Sequence, residues 1–275
     1  MKFALCNEVF RHLSLEDGFK LIADLGYDGV EIAPFTVCNP HEFSARDADR
    51  CLAAAQAANI EIVGLHWLLA ETKGLHVTHT DPTIRKNTAE FLKNLVRLTA
   101  HMEGSVMVLG SPKQRDLLPG ILYEEAFCNG VEVIREVCEL ADKLGVVLAL
   151  EPLSTVETGF LCSAAETRRF MAAVNRPSAR LHLDVKAMAH EQAGPVATIY
   201  EHRHEVAHFH ANDVNQRGPG QGPTDFQAVA NALMAVGYDG WVSVEPFDYY
   251  PTPEECARIS LENMRAAFGL ATQRG

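Results

Sequence analysis

VVLALEP (146–152), RLHLDV (180–185), VAHFHA (206–211) and GWVSVEP (240–246) decide how this chain folds. Each is a short apolar run rich in β-branched residues, the composition of a strand buried on both faces of a parallel sheet. Each also ends, or nearly ends, in a side chain able to bind a cation: Glu151, Asp184, His210 and Glu245. Buried carboxylates are costly unless paired or bound to a cation. A lone Glu at a strand end is ordinarily a salt-bridge partner. Four such ends in succession point instead to convergence at the carboxyl-terminal face of a barrel, where barrel enzymes keep their chemistry.

Working outward, four more strands are predicted at 2–7, 29–35, 61–68 and 106–111. Amphipathic stretches at 14–26, 48–58, 83–102, 124–144, 163–174, 224–236 and 253–268 read as helices. Eight strands alternating with helices predict an α/β fold, a (β/α)8 TIM barrel of one domain over residues 1–275. Gly-Tyr-Asp-Gly occurs twice, at 26–29 and 237–240, each time between a helix and a strand. That is the faint repeat expected of a barrel built from like units, and no linker or low-complexity segment divides the chain.

Net charge is −12, which argues against a nucleic-acid surface. No apolar run approaches a membrane span, and no basic segment precedes an apolar core as in a secretory leader. The seven cysteines are odd in number and include no CxxC pair. They read as reduced, mostly packed thiols, and the expected compartment is the cytoplasm. Cys6 ends the first strand, where it is either a small core residue or faces the cleft.

One imidazole with three carboxylates is a hard, oxygen-rich donor set. It suits Mn²⁺ or Mg²⁺, with Co²⁺ and Zn²⁺ as alternatives. Such an ion polarises a carbonyl, and a neighbouring Glu can then act as general base. His182 and His208 lie two residues before Asp184 and His210 and share their face, either as groups that orient the ligands or as core histidines. Glu8 and Glu31 are open to a hydroxyl-binding or a structural role, and Trp67 to packing or to a wall against a sugar. Trp67 and Phe35 are expected to be exposed at the mouth, as interface candidates. His76, His79, His101, His190, His202 and His204 are expected at the surface.

GluIleAlaProPhe (31–35), GlyLeuHisTrp (64–67), GlySerProLysGln (110–114), GluPro (151–152), LeuAsp (183–184), HisAlaAsnAsp (210–213) and GluPro (245–246) follow one another in an order that resembles the xylose isomerase-like sugar isomerase/epimerase superfamily, including the ketose 3-epimerases. The resemblance covers nearly the whole chain. It implies a metal held by Glu151, Asp184, His210 and Glu245, with Glu151 and Glu245 exchanging a proton through an enediolate of a small carbohydrate substrate. It implies that Glu157 holds the substrate's far end, and it makes homo-oligomers, dimers or tetramers, the expected assembly. His66, at the end of the third strand, is placed to reach substrate. The family's substrate-binding Arg comes six residues after the metal His; here that position is Gln216, with Arg217 one later. The family's His three residues after the metal Asp is replaced by Ala187, beside Lys186 and Met188, so the substrate pocket departs from that of a fructose or tagatose epimerase.

The same proton abstraction could end in loss of water, as in a dehydratase or lyase acting on a keto-sugar, an inosose or a dehydroshikimate. An endonuclease IV-like nuclease needs further histidines that this chain lacks. A barrel that only binds a ligand is the remaining alternative, since fold alone does not imply activity.

Overall fold

In the computed structural model, which describes residues 1–270, eight parallel strands close into a barrel in sequence order. The strands are β1 (Lys2–Cys6), β2 (Gly29–Ile32), β3 (Glu61–Leu65), β4 (Val106–Leu109), β5 (Val147–Leu150), β6 (Ala179–Asp184), β7 (Val206–Ala211) and β8 (Trp241–Val244). The outer helices are α1 (Leu15–Asp24), α2 (Ala45–Ala58), α3 (Pro82–His101), α4 (Tyr123–Leu144), α5 (Ala164–Val174), α6 (Val185–Met188), α7 (Gly194–Glu201), α8 (Phe226–Ala235) and α9 (Pro253–Ala267). None of the described helices is long and apolar enough to cross a membrane.

The (β/α)8 expectation holds; β6 and β7 keep the predicted length, and the other six strands are shorter than the apolar runs suggested. Pro34, Pro112, Pro152 and Pro246 follow closely on four of the strands and have no N–H to offer a ladder. Trp67 (φ 51°) and Ser111 (φ 44°) are left-handed, which turns the chain out of the sheet after β3 and β4. Glu151 and Glu245 therefore lie one residue past their strands, while Asp184 and His210 lie within theirs.

Two helices escape the sequence reading, α6 and α7. The Gly194-Pro195 pair reads as a breaker, but proline is well suited to a first helical turn, where its missing N–H goes unneeded. Helix α2 begins three residues earlier than the Ala-rich run, because Ser44 and Asp47 form a reciprocal capping box. The Gly-Tyr-Asp-Gly repeat is structural. Gly26 (φ 96°) and Gly237 (φ 72°) take left-handed turns, and each following tyrosine hydroxyl donates to a carbonyl at 2.7 Å, Tyr27 to Ala257 and Tyr238 to Trp241.

Separate from the main core, Ala4, Val63, Val106, Val108 and Ala149 form a small apolar cluster. A larger core lies between strands and helices. Gly64 lets β3 and β4 close together, since a Cβ there would lie 1.7 Å from the Val106 carbonyl oxygen. Two of the histidines expected at the surface are instead buried, His76 and His202. The long segment after β3 packs back on α3, where the Thr88 hydroxyl accepts from the His76 backbone at 2.9 Å, and burial pushes the His76 imidazole down to about 4. Trp67 and Phe35 are half-buried rather than exposed.

Candidate active site

Asp184, the last residue of β6, stands beside His210 in the β6–β7 register. Glu151 and Glu245 extend from the neighbouring strand ends, and one potential ligand atom from each of the four lies within 4.8 Å of the others. All four are buried. Asp184 also caps α6, its Oδ1 accepting the Ala187 N–H at 2.7 Å, while Asn212 Nδ2 donates to Oδ2 at 2.5 Å.

These charges are unevenly balanced. Burial and then the neighbouring Glu245 and Asp184 push Glu151 well above the usual carboxylate range. Burial and Glu245 likewise raise Asp184. Burial also works against ionised Glu245, but His210 and His66 outweigh it and hold this carboxyl low. The His210 Nδ1 lies 3.0 Å from Glu245 and the His66 Nδ1 3.3 Å from it. Three buried carboxyls, two of them resisting ionisation, form a site that a divalent cation would relieve. Three oxygen donors and one imidazole fit Mn²⁺, Mg²⁺, Co²⁺ or Zn²⁺.

A second polar tier lies beneath the first. His210 Nε2 approaches both Glu31 carboxylate oxygens at 3.2 Å, and His208 Nε2 approaches Glu31 Oε2 at 2.8 Å. Burial opposes ionisation of Glu31, yet His208 and His210 hold it well below its ordinary range. Without a cation, the His210 Nδ1–H faces Glu245; with one in the cluster, a hydrogen kept on Nε2 and donated to Glu31 would leave the Nδ1 lone pair free for the ion. Of the two open readings for the histidines, His208 orients Glu31. His182 makes no hydrogen bond and packs edge-on against His210, with centroids 4.2 Å apart. Cys6 is buried, its Sγ 4.0 Å from His210 Nε2.

Above the acids opens a cleft lined by His66, Trp67, Glu157, Lys186 and Phe247 among others. His66 spans the two Glu residues of the site's edge, its Nε2 3.0 Å from Glu8. Glu157 accepts from Lys186 Nζ at 2.8 Å and from the Ser154 hydroxyl at 2.7 Å, and Lys186 lies 4.9 Å over the Phe247 ring. Arg217 is not among the residues lining the cleft. Its Nε donates to Asp248 at 3.0 Å and its guanidinium lies 4.3 Å over Tyr250.

Sequence reasoning missed the Lys186–Glu157 pair, the role of Asn212, and Gly110. A Cβ on Gly110 would fall 2.1 Å from Glu151 Oε2, so the bare backbone of the fourth strand's end makes room for that carboxylate. It also missed Arg115, which is fully buried and donates to the Leu109 carbonyl at 3.3 Å. Burial pushes its guanidinium down to about 10, with Glu151 pulling the other way. In sequence Arg115 sits in a polar loop and carries no mark of burial.

The family model for the xylose isomerase-like TIM barrel matches residues 19–267. A D-psicose 3-epimerase of Ruminiclostridium cellulolyticum is 29% identical over 231 residues, covering 82% of this chain and 76% of that protein. A fructoselysine 3-epimerase of Shigella flexneri is 28% identical over 282 residues, covering 97% and 98%. The crystal structure of a D-psicose 3-epimerase from Clostridium cellulolyticum H10 with D-tagatose superposes with a TM-score of 0.85 at 21% identity, covering 98% of this chain and 99% of that one.

Proposed function

The chain belongs to the xylose isomerase-like TIM barrel family, and from that premise we propose that it is a divalent-metal-dependent isomerase/epimerase of an unphosphorylated keto-sugar or related polyol. The observation that carries this reading is the pairing of Glu151 and Glu245. They share one buried cluster with Asp184 and His210, and both reach the cleft above it. Two carboxyls so placed supply the acid and the base that proton exchange at a carbon next to a carbonyl requires.

Glu245, kept ionised by His210 and His66, takes the proton from one face of the carbon. Glu151 returns a proton to the opposite face, and the reverse reaction exchanges their roles. The chemistry supplied by a divalent ion on Glu151, Asp184, His210 and Glu245, with manganese the first choice, is polarisation of the substrate carbonyl. Glu157 and Lys186 hold hydroxyls at the far end of the sugar, and His66 meets those nearest Glu245. Among the described residues, the one Lys or Arg lining the cleft, Lys186, is already paired with Glu157, which favours an uncharged sugar over a sugar phosphate. Ala187, where ketose epimerases carry their His, and Lys186 beside it set the substrate apart from fructose and tagatose. The relatives named above, epimerases of D-psicose and of fructoselysine, support the reaction class.

Incubation with a panel of ketoses and keto-glycosides in deuterated water tests this. Product of unchanged composition carrying solvent deuterium at the inverted carbon is expected. Turnover without deuterium on carbon sinks the mechanism, and a product lighter by one water makes the protein a dehydratase.

A further inference from the structure

Beside the proposed catalytic cluster, and sharing His210 with it, four side chains from four different strands meet around one point. They are Cys6 at the end of β1, Glu31 on β2, His66 just past β3 and His210 on β7, and one potential ligand atom from each lies within 4.8 Å of the others. None is more than 1% exposed. His210 Nε2 stands 4.0 Å from Cys6 Sγ and 3.2 Å from Glu31. A four-coordinate ion with bonds of about 2.0–2.3 Å holds its ligands roughly 3.3–3.8 Å apart, so the side chains need only small shifts to close on it.

We propose that Cys6, Glu31, His66 and His210 form a second, thiophilic cation site of the Zn²⁺ type. The donor set decides the metal. A sulfur and two imidazoles with one carboxylate suit Zn²⁺ or Co²⁺ and discriminate against Mg²⁺ and Mn²⁺, which prefer oxygen. All four ligands come from protein and the site is buried, as in closed zinc sites without an open position for substrate. When the ion binds, the Cys6 sulfur–hydrogen bond gives way to a sulfur–metal bond and the proton passes to solvent.

The site competes with the catalytic one through His210. A neutral imidazole has one free lone pair, on the nitrogen that lacks the hydrogen. With Nε2 protonated and donating to Glu31, Nδ1 is free for the upper cluster. With Nε2 on the lower ion, the hydrogen moves to Nδ1 and the upper cluster loses its only nitrogen ligand. His66, which also supports Glu245, is drawn away at the same time. Zinc at the lower site therefore inhibits an enzyme that runs on a harder ion above it. Only this inhibition rests on the proposed function; the binding itself does not.

Metal-stripped full-length protein titrated with Co²⁺ tests the binding without any substrate. An intense near-ultraviolet sulfur-to-cobalt charge-transfer band is expected, abolished by added Zn²⁺. It persists in the Glu151→Gln/Asp184→Asn double variant and is lost in Cys6→Ser. No band in the wild type, or a band unchanged in Cys6→Ser, overturns the site whatever the reaction proves to be. Should Cys6→Ser fold poorly, anomalous scattering from zinc-soaked wild-type crystals decides: a peak between Cys6 Sγ and His210 Nε2 supports the site, and a peak only among Glu151, Asp184 and Glu245 refutes it. For an active enzyme, zinc inhibition is lost in Cys6→Ser while activity with Mn²⁺ is retained.

Discussion

The two halves of the barrel do different work. Strands β5 to β8 each deliver one member of the cluster, Glu151, Asp184, His210 and Glu245. Strands β1 to β4 end in groups that shape or support those four: Cys6 and Glu31 below His210, His66 against Glu245, and Gly110 beside Glu151. The second half carries the four clustered side chains, and the first half supplies hydrogen bonds, a further carboxylate in Glu31 and the space around them. The division shows why a donor set alone is not a site. Buried carboxylates hold their geometry only when neighbouring strands orient them.

The largest effect should come from the second half. Glu151→Gln and Glu245→Gln keep the side-chain volume and remove the proton carrier, so each is expected to lower kcat by about 10²–10⁴-fold in steady-state assays. Loss in only one of the two would break the symmetry between them.

Gly110→Ala tests whether the first half commands the second. Gly110 does not occupy the left-handed region, so its backbone tolerates a side chain, but the new Cβ collides with the flexible end of Glu151. The expected outcome is a fold unchanged by circular dichroism with metal affinity reduced about 10–100-fold by calorimetry, the range seen when groups supporting a ligand are altered. Unaltered affinity would confine the chemistry to the second half.

A third effect appears in the pH dependence of the metal-free protein. Folding raises Asp184 to about 6 and Glu151 to about 8, chiefly by burial. A carboxyl raised in the folded state contributes stability that is complete below its unfolded value and is lost as pH climbs through the folded one. The thermal midpoint of chelator-treated protein should thus fall between about pH 5 and 9, and Glu151→Gln should flatten the upper part of that fall. A divalent cation should abolish the slope, since it replaces the protons.

The smallest effect is expected at Arg217. Held by Asp248 and Tyr250 at a half-exposed position, its replacement by Ala should cost about 1 kcal/mol of stability or less. Its KM should shift less than that of Glu157→Gln, whose carboxylate lines the cleft. The reverse order would move the sugar's far end from the β5 loop to the β7 loop.

The four clustered side chains were legible in the sequence because short apolar runs mark buried strands and so show which side chain stands at each strand end, with a proline stop after Glu151 and Glu245. Helix α6 was not, being a single turn capped by Asp184, and neither was α7, because Gly194-Pro195 means a turn in one context and a helix start in another. Arg115 and His76 looked solvated in their polar loops, and only the packing of those loops against the barrel buried them. The partners of His182 and His208 were undecidable, since alternation gives the face a residue points to and not what it meets there.

From the sequence alone came the order of eight strands, the closed parallel barrel and the four side chains at its carboxyl-terminal end, because local periodicity and strand-end chemistry need no knowledge of distant contacts. Tertiary structure decided which nitrogen of His210 faces Glu245 and which faces Glu31, which of Glu151 and Glu245 is pushed up and which held down, and how Cys6, Glu31 and His66 gather around His210. Those properties depend on burial and on distances between residues as many as 204 positions apart, which the closing of the barrel alone sets.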